Sequence, residues 1–86
     1  MTSEEIQKFN KNKNIKNEVV QINFRSRPSL KGLFLQSKDS QELQTKNLWR
    51  IVSESNLSSY LKSGDENFSR IFNGVDITRM EVVKPS

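Results

Sequence analysis

The sequence predicts a small, mainly β domain: a bent sheet or barrel of about five strands carrying one short helix. Three observations predict it. Val20, Ile22 and Phe24 alternate with Val19, Gln21 and Asn23, a two-residue period with one wholly apolar face. Asn47-Leu48-Trp49-Arg50-Ile51-Val52, which holds the only tryptophan, is apolar on both faces, as a central strand covered twice must be. Asn73-Gly74 is the strongest tight-turn signal in the chain. The chain has 86 residues, so one domain is expected. A folded part of this size buries only roughly 60% of its unfolded surface, which makes for a thin core.

Residues 1–17 are expected to stay outside that core as a flexible basic arm. Thr2 or Ser3 can cap a short helix there, with Glu5 placed to close a capping box from Thr2. Ile6 and Phe9 give it a narrow apolar edge. From Asn10 to Asn17, Asn and Lys alternate, and Asn side chains compete for backbone hydrogen bonds, so this stretch is expected to be flexible. The alternating lysines suit either a solvated tail or an arm that touches phosphates.

The domain proper is expected over residues 18–84. Its first strand ends in Arg25-Ser26-Arg27-Pro28-Ser29, where proline removes a ladder donor and favours a turn. Leu30 to Gln36 is the second strand, with Gly32 marking a bulge or sharp bend. Residues 37–46 are polar, and 41–45 read as a strand extension or a long loop. The third strand is Asn47 to Ser53. Asn56 or Ser55 then caps a helix over 57–63, stopped by Gly64 in a left-handed cap. Leu57, Tyr60 and Leu61 lie on one stripe of it. After a turn at Asp65-Glu66-Asn67, Phe68 to Phe72 is the fourth strand. The turn at Asn73-Gly74 and one helical turn started by Asp76 lead to a last strand, Met80 to Val83.

Composition removes several chemistries. No cysteine and no histidine occur, so neither thiol chemistry nor the side chain most used for acid–base work and transition-metal binding is available. No apolar run approaches the ~20 residues of a membrane span. The start of the chain, with Glu4 and Glu5, lacks the apolar core of a secretory signal. A thin core without disulfides points to the cytoplasm. The serines have neither a histidine nor a nucleophile elbow beside them, and the carboxylates fall mainly in turns or at element ends. Asp65, Glu66 and Asp76 fit no calcium loop. Neither catalysis, a metal nor a cofactor is expected.

Positive charge is concentrated rather than spread. The net charge is +4, and residues 25–50 hold six basic residues against two acidic. Arg25, Arg27, Lys31, Lys46 and Arg50 are therefore the candidate nucleic-acid contacts, with basic groups on phosphates and an aromatic ring stacking a base. Trp49 and Phe34 sit in two-sided apolar contexts and are expected in the core; in the alternative they face the basic surface. Arg50 and Arg70 lie within strands and are expected to pair with Glu54 or Asp76, or to lie along the flank with stems buried. A second class of function is protein interaction, through a peptide groove lined by Trp49, Tyr60 and Phe68 or through self-association of edge strands.

Lys31-Gly32-Leu33-Phe34-Leu35, Asn47-Leu48-Trp49-Arg50-Ile51 and Phe72-Asn73-Gly74-Val75-Asp76-Ile77 together resemble Sm-like proteins within the SH3-like small barrels. In that family a glycine permits the bend of the second strand, and an Arg-Gly or Asn-Gly-like turn leads into the final strand. The resemblance implies a barrel over residues 18–83, RNA as a partner and assembly through strand edges. The chain departs from the family in placing its helix after the third strand and in having Asn73 where arginine is more usual. The chain also resembles a group of short bacterial proteins without assigned activity, through Asn47-Leu48-Trp49-Arg50-Ile51-Val52 and Arg70-Ile71-Phe72-Asn73-Gly74.

Overall fold

The computed structural model describes residues 1–12 and 18–83. Helix α1, Ser3–Asn12, starts at the predicted capping box: the Thr2 N–H donates to Glu5 Oε1 at 2.9 Å and the Glu5 N–H to Thr2 Oγ1 at 3.1 Å. One turn on, Ile6 is 0% exposed and belongs to the main core, with Phe9 packed against it. The expectation that residues 1–17 stay out of the core is thus corrected for the helix. Burial of Ile6 outweighs the poor helix propensity of Asn10 and Asn12. The rest of the predicted arm, 13–17, lies outside the described residues.

Five strands follow: β1 (Val20–Phe24), β2 (Leu30–Phe34), β3 (Leu48–Ser53), β4 (Ser69–Asn73) and β5 (Ile77–Val82). They form one antiparallel sheet in the order β4-β3-β2-β1-β5. Residues opposite one another share a face. The pairs Ile22↔Leu30, Ile22↔Met80, Phe34↔Ile51 and Trp49↔Phe72 therefore put these side chains on one face, where they meet Ile6 of α1. Leu33 and Val52 point the other way and are also buried. On that side, helix α3 (Glu54–Ser63) packs against β2 and β3. As its sequence predicts, β3 is an interior strand covered twice.

The sheet is curved but open. Phe24 of β1 and Phe72 of β4 touch although β2 and β3 lie between their strands, so the sheet curls. Even so, β4 and β5 do not pair, so of the two expected forms the bent sheet is found and the closed barrel is not; the described residues add three α-helices to it. Gly32 causes no bulge: its pairings with Val20 and Ser53 run in register, and the irregularity falls at Asn23/Phe24 instead. What Gly32 supplies is close approach. A Cβ there would lie 2.7 Å from Ile51 Cγ2 and 2.8 Å from the Val52 carbonyl oxygen.

Four further features differ from expectation. Residues 40–45 form a short helix, α2 (Ser40–Thr45), fastened by the Ser37 N–H donating to Ser40 Oγ at 2.7 Å. Helix α3 begins at Glu54, directly after β3, and ends as predicted at Gly64 in the left-handed region with φ 68°. Asn73-Gly74 is not a hairpin turn. Asn73 caps a 3-10 turn, Gly74–Asp76, its Oδ1 accepting from the Val75 N–H at 3.0 Å. Phe68 likewise falls in a 3-10 turn, Glu66–Phe68, rather than in β4. Among the described residues, no helix is long and apolar enough to cross a membrane.

Candidate functional site

The turn between β1 and β2 carries Arg25 and Arg27, and the curl of the sheet gives it an aromatic bed. The Phe24 and Phe72 rings are stacked, with centroids 5.4 Å apart and planes 29° apart. The Arg27 guanidinium lies 5.6 Å from one centroid and 5.4 Å from the other, within reach of cation–π attraction to both. Asp76 fastens the turn from below. Its carboxylate accepts from the Ser26 N–H at 3.2 Å and Ser26 Oγ at 2.9 Å, and it lies 3.7 Å from Arg27 Nε. Its backbone carbonyl accepts from the Arg25 N–H at 2.8 Å. Arg27 is thus held against both rings, while the Arg25 side chain is exposed and forms no ion pair with any described residue.

Phe72 also borders a cleft of about 240 Å³. Leu30, Ile51, Phe68 and Phe72 form its apolar lining; Ser53, Ser55, Asn56 and Arg70 form its polar one. Arg70 and Phe72, two residues apart on β4, share a face, so the cation stands beside the ring. Arg70 is exposed and forms no ion pair with a described residue. Asn56 is half-buried in the first turn of α3, and its carboxamide bonds to no described residue.

The structure brings together only part of the predicted set. Arg25, Arg27 and Phe68 border this region. Lys31 is exposed on β2 but on the face opposite Leu30, and Lys46 is exposed just after α2, 4.0 Å from Glu42. Arg50 is occupied elsewhere. Its Nε donates to Asp39 Oδ1 at 3.0 Å and its second terminal nitrogen to Asp39 Oδ2 at 2.7 Å, a two-pronged pair. That guanidinium, with Ser37, holds the Asp39 carboxyl well below the usual carboxylate range, and the pair raises the Arg50 pKa in turn. The expected partners Glu54 and Asp76 are corrected to Asp39, which the unanticipated α2 turn brings over β3. Asp76 is spent on the β1–β2 turn.

Trp49 is 4% exposed, edge-on to Phe34 with centroids 5.9 Å apart, and donates its Nε1–H to Asn47 Oδ1 at 2.9 Å. It is core, not groove. Tyr60 is half-buried on α3 and does not line the cleft. The residues missed are Phe24, Phe72, Arg70 and Asn56. A signal existed for the first three: Phe24-Arg25-Ser26-Arg27 and Arg70-Ile71-Phe72 set arginine next to phenylalanine at spacings that share a face or a turn. Among the described residues, no group of three or more acidic side chains is placed to hold a metal ion.

Comparison with protein-family models, with curated proteins and with solved structures gives no match to this chain.

Proposed function

We propose that this protein is a non-enzymatic binding module that takes nucleic acid, RNA foremost, on the surface formed by the 25–29 turn and β4. The observation that carries the proposal is Arg27 lying over the Phe24–Phe72 stack, with Arg25 and Arg70 uncompensated nearby. Cations that neutralise phosphates release condensed counterions, and an aromatic ring with an open face stacks a base at ~1–3 kcal/mol. Lys31, Lys46 and Arg50 are not needed for this surface. The test is fluorescence anisotropy with a labelled single-stranded RNA over a salt series. Affinity is expected to fall linearly on logarithmic axes. The paired substitutions Arg25→Ala and Arg27→Ala should reduce that slope by about 0.7 for each phosphate the protein no longer neutralises. Absence of binding at low salt, or binding indifferent to salt, overturns the proposal.

A second reading, protein interaction or self-assembly, is favoured by a different observation. β4 and β5 are each hydrogen-bonded on one side only among the described residues, and Ile71 on β4 is 47% exposed. Open edges are templates for another strand. Light scattering over a concentration series separates the two readings: a discrete oligomer that persists at high salt and without RNA supports this one.

A further inference from the structure

We infer that the cleft between β2, β3, β4 and the first turn of α3 seats one unpaired nucleobase, so that the module selects single strands. This rests on the nucleic-acid reading above. The first argument is size. At about 240 Å³ the cleft is smaller than the roughly 300–1,000 Å³ of pockets that enclose drug-sized ligands. It admits one ring system, not a folded segment or a run of side chains.

The second argument is the division of its walls. Phe68, Phe72 and Leu30, each half-buried, offer apolar surface for the face of a ring. On the polar side, Asn56 presents a carboxamide with a donor and an acceptor side by side and no partner among the described residues. That pair complements the hydrogen-bonding edge of an unstacked base. The third argument is charge. Arg70 stands beside Phe72 on the same face of β4, where the phosphate of a seated nucleotide meets it, and Phe72 leads on to Arg27. An uncharged peptide seated by an aromatic side chain would satisfy the apolar wall but leave Arg70 without an anion. A duplex offers no base to the cleft unless one is unstacked at a cost of a few kcal/mol.

The experiment uses the full chain, with anisotropy on short homopolymeric RNA strands of adenine, cytosine and uracil and on an RNA duplex of the same length. Single strands are expected to bind at least about tenfold more tightly than the duplex, in line with that unstacking cost. The wild-type protein is expected to rank the three bases. Asn56→Ala should narrow that ranking and leave the salt slope unchanged, because the side chain carries no charge. Arg70→Ala should lower the slope by about 0.7 on all three strands and leave the ranking intact. Trp49 emission, reporting from the core, checks that each variant is folded. A duplex bound as tightly as the strands, or a ranking absent from the wild type or untouched by Asn56→Ala, overturns the inference and leaves the proposed function standing. No binding to any RNA overturns both.

Discussion

Asn47 ties the chain's first residue, β3 and the turn at Gly74 together. It sits just before β3 in the left-handed region, φ 57°, which asparagine tolerates better than most residues. Its Oδ1 accepts from Trp49, its Nδ2 donates to the Met1 carbonyl at 3.0 Å, and its backbone carbonyl accepts from the Gly74 N–H at 2.8 Å. Gly74 is required by this crowding rather than by its own dihedral angles. A Cβ there would stand 2.1 Å from Asn47 Oδ1 and 2.8 Å from Ile6 Cδ1. Gly74→Ala is therefore expected to cost about 1–3 kcal/mol, the usual range for overpacking, read as a lower urea midpoint. The Asp39–Arg50 pair makes a second prediction, in pH. Folding depresses the Asp39 pKa, so the stabilisation is present above the ordinary aspartate pKa and is lost as pH falls towards the folded value. Thermal melts between about pH 5 and pH 2 should show the wild type losing stability more steeply than Asp39→Asn. Equal slopes would refute the pairing.

Among the elements, α1 departs furthest from what its composition suggests. Only Ile6 and Phe9 are apolar among its central residues, yet Ile6 fills the core beside Trp49, Ile51 and Ile77. Ile6→Ala is expected to cost about 2–5 kcal/mol in chemical denaturation. A cost under about 1 kcal/mol would mean that the helix is not docked. The strands were legible because their signal is local: alternation at 20–24, two-sided apolarity at 48–52, and Gly64 ending α3. So was the capping box. The docking of α1 was not, because two apolar residues in a polar stretch have no visible partner until the sheet exists. α2 was hidden for a similar reason: it is anchored by the Ser40 hydroxyl, which accepts from the Ser37 N–H and donates to the Leu35 carbonyl, rather than by a hydrophobic stripe. The site was half legible. Arg25 and Arg27 stand out as charges beside a turn, but the bed beneath Arg27 joins β1 to β4 and exists only through the curl. Asn73-Gly74 misled because the same pair that suits a hairpin also suits a capped 3-10 turn in a crowded place.

At the scale of the whole molecule, the first and last strands are neighbours: β1 pairs with β5 from Val20↔Val82 to Phe24↔Ile77. Neither α1 nor β5 can leave without uncovering the same core, since Ile6, Ile22, Ile77 and Met80 belong to one cluster. Such closure is non-local, and it predicts cooperative unfolding with no detached arm. Trp49 supplies the probe. Its ring is packed in that cluster, and its indole bonds to the residue that holds Met1 and Gly74. Urea unfolding followed by Trp49 emission should therefore coincide with unfolding followed by far-ultraviolet circular dichroism, which weighs all three helices. The expected slope is about 1–3 kcal/mol per molar urea, as for small domains. If α1 were a separate appendage, helical signal would be lost at low urea while Trp49 emission stayed native. Two displaced transitions would thus separate the helix from the core, whereas one shared midpoint makes α1 part of the structural unit that positions the 25–29 turn against β4.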